Sequence, residues 1–185
     1  VHLFSQSGGK LEWDDKFERF LPKIANQPLI SIGACNGTQS LSSCLKDGLK
    51  AGAESARATN NKGRAPGVPK ALQSKYNDER AVWIIPKEKS YKKNGKYFVD
   101  FQNDVTASDI NLAAREGYRS VEHLKRYTTM GMGTDQGKTS NVTALAILGE
   151  TLGTTAPNIG HTTFRPPYTP ATIGAYAGRN VGALF

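Results

Sequence analysis

The residues in this sequence whose types and spacing could do chemistry are few. The run Gly133-Thr134-Asp135-Gln136-Gly137-Lys138-Thr139 carries the glycines, lysine and threonine of a phosphate-binding loop. Such a loop needs four residues between its two glycines so that consecutive N–H groups wrap a phosphate, and here the glycines are separated by three. The run also follows a helical pattern rather than a buried strand, so ATP or GTP hydrolysis is rejected. Lys138, Thr139 and Ser140 still open a helix, where unpaired N–H groups and the positive end of the dipole suit a phosphate of some ligand. In the plainer reading, Thr139 or Ser140 simply caps the helix that follows.

A second candidate is Gly33-Ala34-Cys35-Asn36-Gly37, between an apolar run and a long helical pattern. A strand, a glycine-rich turn and a helix N-terminus together favour an anion, and a tight turn with no ligand explains the same residues equally well. The remaining reactive types do not combine. His2, His123 and His161 share no metal spacing, and Cys35 and Cys44 have neither metal-ligand spacing nor the numbers for a disulfide framework. Asp100 and Asp104 are four apart but flank a strand end, which gives paired-carboxylate catalysis little support.

The elements that must position these residues fall in four stretches. Residues 1–60 begin with a short strand pattern at Val1 to Phe4, a turn at Ser7-Gly8-Gly9-Lys10, and a strand-like Leu11-Glu12-Trp13-Asp14. Pro28-Leu29-Ile30-Ser31-Ile32 has the composition of a buried strand, ended by Gly33. Gln39 to Ala58 follows at helical spacing, with Leu41, Cys44, Leu45, Gly48, Leu49 and Gly52 on one stripe. Residues 61–96 are a linker: Lys62 to Lys96 holds ten basic against three acidic side chains, most of the net charge of +8, among prolines and glycines. Its apolar island, Ala81-Val82-Trp83-Ile84-Ile85, is expected to pin it to a neighbouring surface. A lysine-rich linker of this kind reads as solvated rather than as a nucleic-acid surface.

Residues 97–153 are the most patterned. Tyr97-Phe98-Val99 is a strand, and Thr106 with Asp109 three residues on is a capping arrangement for a helix that Gly117 ends. Ser120 can cap a second helix, and Asn141 to Leu152 forms a third, stopped by Gly153. Residues 154–185 hold Pro157, Pro166, Pro167 and Pro170 with no acidic side chain. In 185 residues there is no run of eighteen apolar residues, and the N-terminus has no signal-peptide pattern. The first residue is not Met, and the last five read as the middle of an element, so a truncated multidomain chain is expected. With two cysteines, a cytoplasmic location is the simplest expectation.

Three long motifs carry a resemblance. They are Phe98-Val99-Asp100-Phe101-Gln102-Asn103-Asp104-Val105-Thr106, Glu116 through Thr128, and Asp135-Gln136-Gly137-Lys138-Thr139-Ser140-Asn141. Together they resemble the alpha subunits of heterotetrameric sarcosine oxidases, and the resemblance spans essentially the whole chain. Residues 1–58 resemble the C-terminal end of that subunit's dinucleotide-binding domain. Thr163-Phe164-Arg165-Pro166-Pro167-Tyr168-Thr169-Pro170 resembles the start of its folate-binding, aminomethyltransferase-like domain. The middle module also resembles, more distantly, a small ferredoxin-like [2Fe–2S] domain of related amine- and opine-oxidising subunits. Gly131-Met132-Gly133 and Gln136-Gly137 are kept, but the four ligand positions read Asp100, Gln102, Asp135 and Ser140.

The resemblance implies a fold class: an α/β fragment, the end of a doubly wound nucleotide-binding domain, followed by a small mainly α-helical module. It implies NAD facing Gly33, Ala34, Gly37, Thr38, Gln39 and Leu41, and FMN near a subunit contact. Lys138, Thr139 and Ser140, which open a helix and add a lysine charge, are expected to lie at that contact near the FMN phosphate. Tetrahydrofolate would belong to a domain downstream. No iron–sulfur cluster is expected, because thiolates hold such clusters and no cysteine lies beyond Cys44. The implied partners are beta, gamma and delta subunits, with no nucleic acid and no membrane. The implied reaction is oxidative demethylation of sarcosine to glycine with hydrogen peroxide, and the substrate-oxidising site lies elsewhere. The competing readings are a subunit of a dimethylglycine or proline dehydrogenase type, and a non-enzymatic basic interaction module.

Overall fold

The computed structural model describes residues 1–72, 80–85, 95–163, 165 and 169–177. It forms two compact units, Val1–Ala81 and Val82–Phe185. The described residues hold several helices and two two-stranded sheets, both antiparallel.

The first unit opens with helix α1, His2–Gln6, where the alternation of Val1 to Phe4 suggested a strand. Its end is closed locally: Ser7 Oγ donates to the Phe4 carbonyl at 2.7 Å, and the Gly9 amide to the same oxygen at 3.1 Å. Phe4 is buried with its ring against Gly9, where a Cβ could not fit. Strands β1, Lys10–Asp14, and β2, Arg19–Ile24, form a hairpin that pairs Asp14 with Arg19 and Trp13 with Phe20. The Asp14 carboxylate accepts from the Lys16 and Phe17 amides at 3.0 and 3.4 Å, which turns the chain back. Pro22 is tolerated because each strand of a two-stranded sheet is an edge.

The buried strand expected at 28–32 does not form. Leu29, Ile30 and Ile32 are 42%, 50% and 40% exposed, and no described strand pairs with them. An apolar run becomes a buried strand only when neighbours supply ladder partners and a covering layer. A 3-10 turn, Gly33–Asn36, follows, and Gly37 leaves it at a left-handed φ of 88°. Helix α2, Leu41–Ala58, is capped by Ser40, whose hydroxyl accepts from the Ser43 amide at 3.2 Å. Its small-residue stripe, from Cys44 to Ala56, faces residues 61–69 across a cavity of about 630 Å³.

The second unit is the helical module. Strands β3, Phe98–Asp100, and β4, Val105–Thr106, pair antiparallel and lead into α3, Ala107–Arg115. The capping box is complete: the Thr106 hydroxyl accepts from the Asp109 amide, and the Asp109 carboxylate accepts from the Thr106 amide at 2.8 Å. Gly117, at φ 99°, ends the turn after α3. Helix α4, Val121–Thr128, lies where its apolar stripe predicts, and α5, Asn141–Thr151, where the apolar run before Gly153 does. Ser120 sits at the N-cap of α4, but its side chain makes no capping bond there. Two further short helices, α6, Ala156–Ile159, and α7, Ile173–Ala177, lie in the proline-rich stretch that carried no helix signal.

The core of this unit is Ile110, Leu124, Met130, Leu145, Ile147 and Leu148, all essentially inaccessible to solvent. Each large aliphatic side chain buried this way contributes roughly 1.5–3 kcal/mol. Helix α5 packs on both α3 and α6, so it is apolar around most of its circumference. Gly149 allows the approach of α6, since a Cβ there would press on the backbone of Thr154 to Ala156. Of the apolar island, Ile84 lies on the α3–α5 seam, lining a cavity of about 400 Å³ with Asn111, Ile147, Glu150 and Thr151. Its neighbours Val82 and Ile85 are 70% and 68% exposed, so Ile84 alone of the island's large aliphatic side chains meets this surface.

Candidate functional site

The first candidate site is the turn from Gly33 to Leu41. Gly33 and Ala34 lie in the 3-10 turn, whose carbonyls accept from the Thr38 and Gly37 amides at 3.1 and 3.2 Å. The Thr38 hydroxyl donates to Asp47 of α2 at 2.7 Å, and the Cys44 thiol to the Thr38 carbonyl at 3.3 Å. Leu41 is the exposed first residue of α2. All six residues expected to face a nucleotide are therefore gathered on one turn at the head of one helix. Sequence reasoning missed Arg19, whose guanidinium donates to the Gly37 carbonyl at 3.2 Å. An interval of 18 residues, from the start of β2 to the turn, gives no sequence signal for that contact.

The second candidate site is built from the β3–β4 turn and the loop 129–140. Asp100, buried, ties them together. One carboxylate oxygen accepts from the Gln102 amide at 2.9 Å, the other from the Gly131 amide at 2.7 Å. Gln102 Oε1 accepts from the Thr134 hydroxyl at 2.8 Å and the Asp135 amide at 3.3 Å. Asp135 then closes the loop on itself. Its Oδ1 accepts from the Gly137 amide at 2.9 Å, and its Oδ2 from the Thr139 hydroxyl at 2.7 Å and amide at 3.3 Å. Burial pushes the Asp135 carboxyl up, but the Thr139 hydroxyl, the Gly137 and Thr139 amides and the nearby Lys138 charge outweigh it and hold it below the usual carboxylate range.

Lys138, Thr139 and Ser140 are thus next to one another but differently engaged. Lys138 Nζ donates to the Asp135 carbonyl at 3.1 Å, and Thr139 serves Asp135. Ser140 is buried at the N-cap of α5, with its hydroxyl 3.9 Å from Met130 Sδ. Ser140 takes the N-cap position that the capping reading expects, but its hydroxyl makes no capping bond to α5. The helix is entered instead through backbone bonds from Ser140 and Asn141 to the Gly137 carbonyl, at 3.3 and 2.9 Å. The loop leaves no room at Gly131 or Gly137, where a Cβ would run into the Asn141 side chain.

The other reactive types stay apart. Asp104 sits in the β3–β4 turn at φ 54°, while Asp100 is committed to amides. His2 is buried in α1, His123 is on the surface of α4, and His161 Nδ1 is 3.2 Å from the Thr162 carbonyl. Among the described residues no three His, Cys, Asp or Glu side chains are grouped to hold a metal ion. Among those residues, too, no helix is long and apolar enough to cross a membrane. The motif expected to open a folate domain is described only at Thr163, Arg165, Thr169 and Pro170; the Thr163 amide donates to Glu122 of α4 at 2.7 Å. Its remaining residues, the linker at 73–79 and 86–94, and residues 178–185 lie outside the described part.

The second unit is thus a hairpin-linked helical module with a polar-bonded loop between its strands and its central helix. Residues 94–179 match the family model of the sarcosine oxidase A3 domain. The match continues past Gly153, through α6 and α7. Over its whole length the chain is homologous to sarcosine oxidase alpha subunits. It is 42% identical over 189 residues to that of Corynebacterium sp. (strain P-1) and 40% identical over 190 residues to that of Rhizobium meliloti (strain 1021). All of this chain is covered, but it spans only 19% and 18% of those relatives.

Proposed function

We propose that the chain is a section of the alpha subunit of a sarcosine oxidase complex. In this reading, residues 1–60 close a doubly wound dinucleotide-binding domain, 61–96 link it onward, 97–153 form a module without redox chemistry of its own, and 154–185 lead towards a folate-binding domain. The complex, assembled from alpha, beta, gamma and delta subunits in the cytoplasm, oxidises the N-methyl group of sarcosine. Glycine and hydrogen peroxide are released, and the one-carbon unit passes to tetrahydrofolate. The observation that carries the reading is identity of 40–42% along the entire chain.

The chemistry of the two sites supports particular roles. NAD would lie against Gly33, Ala34, Gly37, Thr38, Gln39 and Leu41, where Gly33 and Gly37, at φ 69° and 88°, let backbone come close to a ligand. FMN, at a subunit contact, would place its phosphate by Lys138, Thr139 and Ser140, although all three already have partners within the loop. An iron–sulfur cluster does not fit. At Asp100, Gln102 and Asp135 the side-chain oxygens already accept loop amides, and Ser140 offers a hydroxyl.

The test is a chimaera. This chain replaces the matching section of the Corynebacterium alpha subunit, which is co-expressed with its partner subunits. Assembly and sarcosine-dependent peroxide formation within about tenfold of the parent are expected, an allowance of roughly 1.4 kcal/mol in the barrier. An assembled complex that cannot oxidise sarcosine, or none at all where the parent assembles, would overturn the reading.

A further inference from the structure

The turn proposed to face NAD is gripped from outside by Arg19 of β2. Its Nη2 donates to the Gly37 carbonyl at 3.2 Å. With the Gln39 amide turned so that Oε1 faces the guanidinium, that oxygen accepts from both Nη1 and Nη2. The guanidinium stacks over the Phe17 ring, 4.6 Å from its centroid, and Nε is 3.9 Å from the Asp14 carboxylate. The side chain is only 24% exposed. A planar fork held on an aromatic face, with an acid behind it, presents two donors to one turn in a fixed geometry.

We propose that Arg19 is the positioning residue of the nucleotide-facing turn, fixing Gly37 and Gln39 and keeping the Gly37 carbonyl engaged so that it does not oppose a phosphate. The inference rests on the reading of residues 33–41 as the NAD-facing turn. Packing contacts alone do not set this turn: a Cβ on Gly37 would meet Leu21 and Arg19 only at ordinary contact, 3.5 and 3.6 Å, although its φ of 88° favours glycine. Polar bonds do. The 3-10 bonds of Gly37 and Thr38 are local, and Arg19 is the long-range tie that the hairpin supplies. Lysine would keep the charge, but one ammonium cannot reproduce the flat stack and the paired donors.

Two measurements test this. In the 185-residue chain, amide exchange at Gly37 and Thr38 is compared among the native protein, Arg19→Lys and Arg19→Met. Exchange is expected to accelerate about tenfold in both variants while the amides of α3 and α5 stay unchanged. In the assembled oxidase, NAD is titrated: Arg19→Met should bind about tenfold more weakly, with Arg19→Lys between it and the native protein. Unchanged exchange at Gly37 and Thr38 overturns the grip itself, whatever NAD does. Faster exchange with unaltered NAD affinity leaves Arg19 a purely structural residue and overturns the positioning role. If the native oxidase takes up no NAD while exchange accelerates, the grip stands and the nucleotide reading of the turn is what fails.

Discussion

At the scale of single residues, the loop 129–140 is held by carboxylates that accept backbone amides. Asp100 is the most demanding of them, since both its oxygens are used and it is buried. Asp100→Ala leaves the Gly131 and Gln102 amides without their acceptor and should lower unfolding stability by about 3 kcal/mol in a denaturant titration. Gly137→Ala combines a left-handed φ of 73° with a collision against Asn141, and should cost about 1–2 kcal/mol or more in the same assay. Asp135 gives the loop a pH dependence. Its folded-state carboxyl titrates below its unfolded value near 3.9, so its contribution is fully present above that value and fades as pH falls through the lower folded value. The Gly137 and Thr139 amide resonances should therefore move only in strongly acidic solution, and Asp135→Asn should abolish the movement.

At the scale of elements, the helical module should carry the slowest-exchanging amides, in α3 and α5, because α3 has a complete capping box and the apolar residues of both helices are buried. Exchange in 107–151 as fast as in 61–72 would contradict this. Thr106→Ala removes one half of a capping box and should cost about 1 kcal/mol. These elements were legible in the sequence because their signals are local: a cap, a glycine stop and a 3.6-residue stripe each sit within a few positions. The hairpin was only half legible, since β1 alternates while β2 carries Pro22. The misread stretches, 1–4 and 28–32, have strand composition, but pairing depends on partners that composition does not name. The candidate sites divide in the same way. Contiguous residues such as Gly33 to Leu41 could be read as one turn, whereas Arg19 on Gly37 and Asp100 on Gly131 join positions far apart in sequence.

At the scale of the whole molecule, the chain grown with ample iron should contain none in stoichiometric amount, and should lack visible charge-transfer absorption. Metal analysis of the purified protein decides it. The oxygen side chains at Asp100, Gln102 and Asp135 bear on durability. Thiolate sulfur and the iron it holds are open to oxidation, whereas carboxylate and amide oxygens are not. In the proposed oxidase, a module fastened through Asp100, Gln102 and Asp135 would stand beside a peroxide-releasing reaction without corroding. What remains oxidisable in its loop is methionine, and burial grades the risk: Met132 is 50% exposed and Met130 fully buried. Peroxide treatment should convert Met132 to its sulfoxide well before Met130, and mass spectrometry of the peptides would show the order, with the Asp100 and Asp135 hydrogen bonds outlasting the first oxidation.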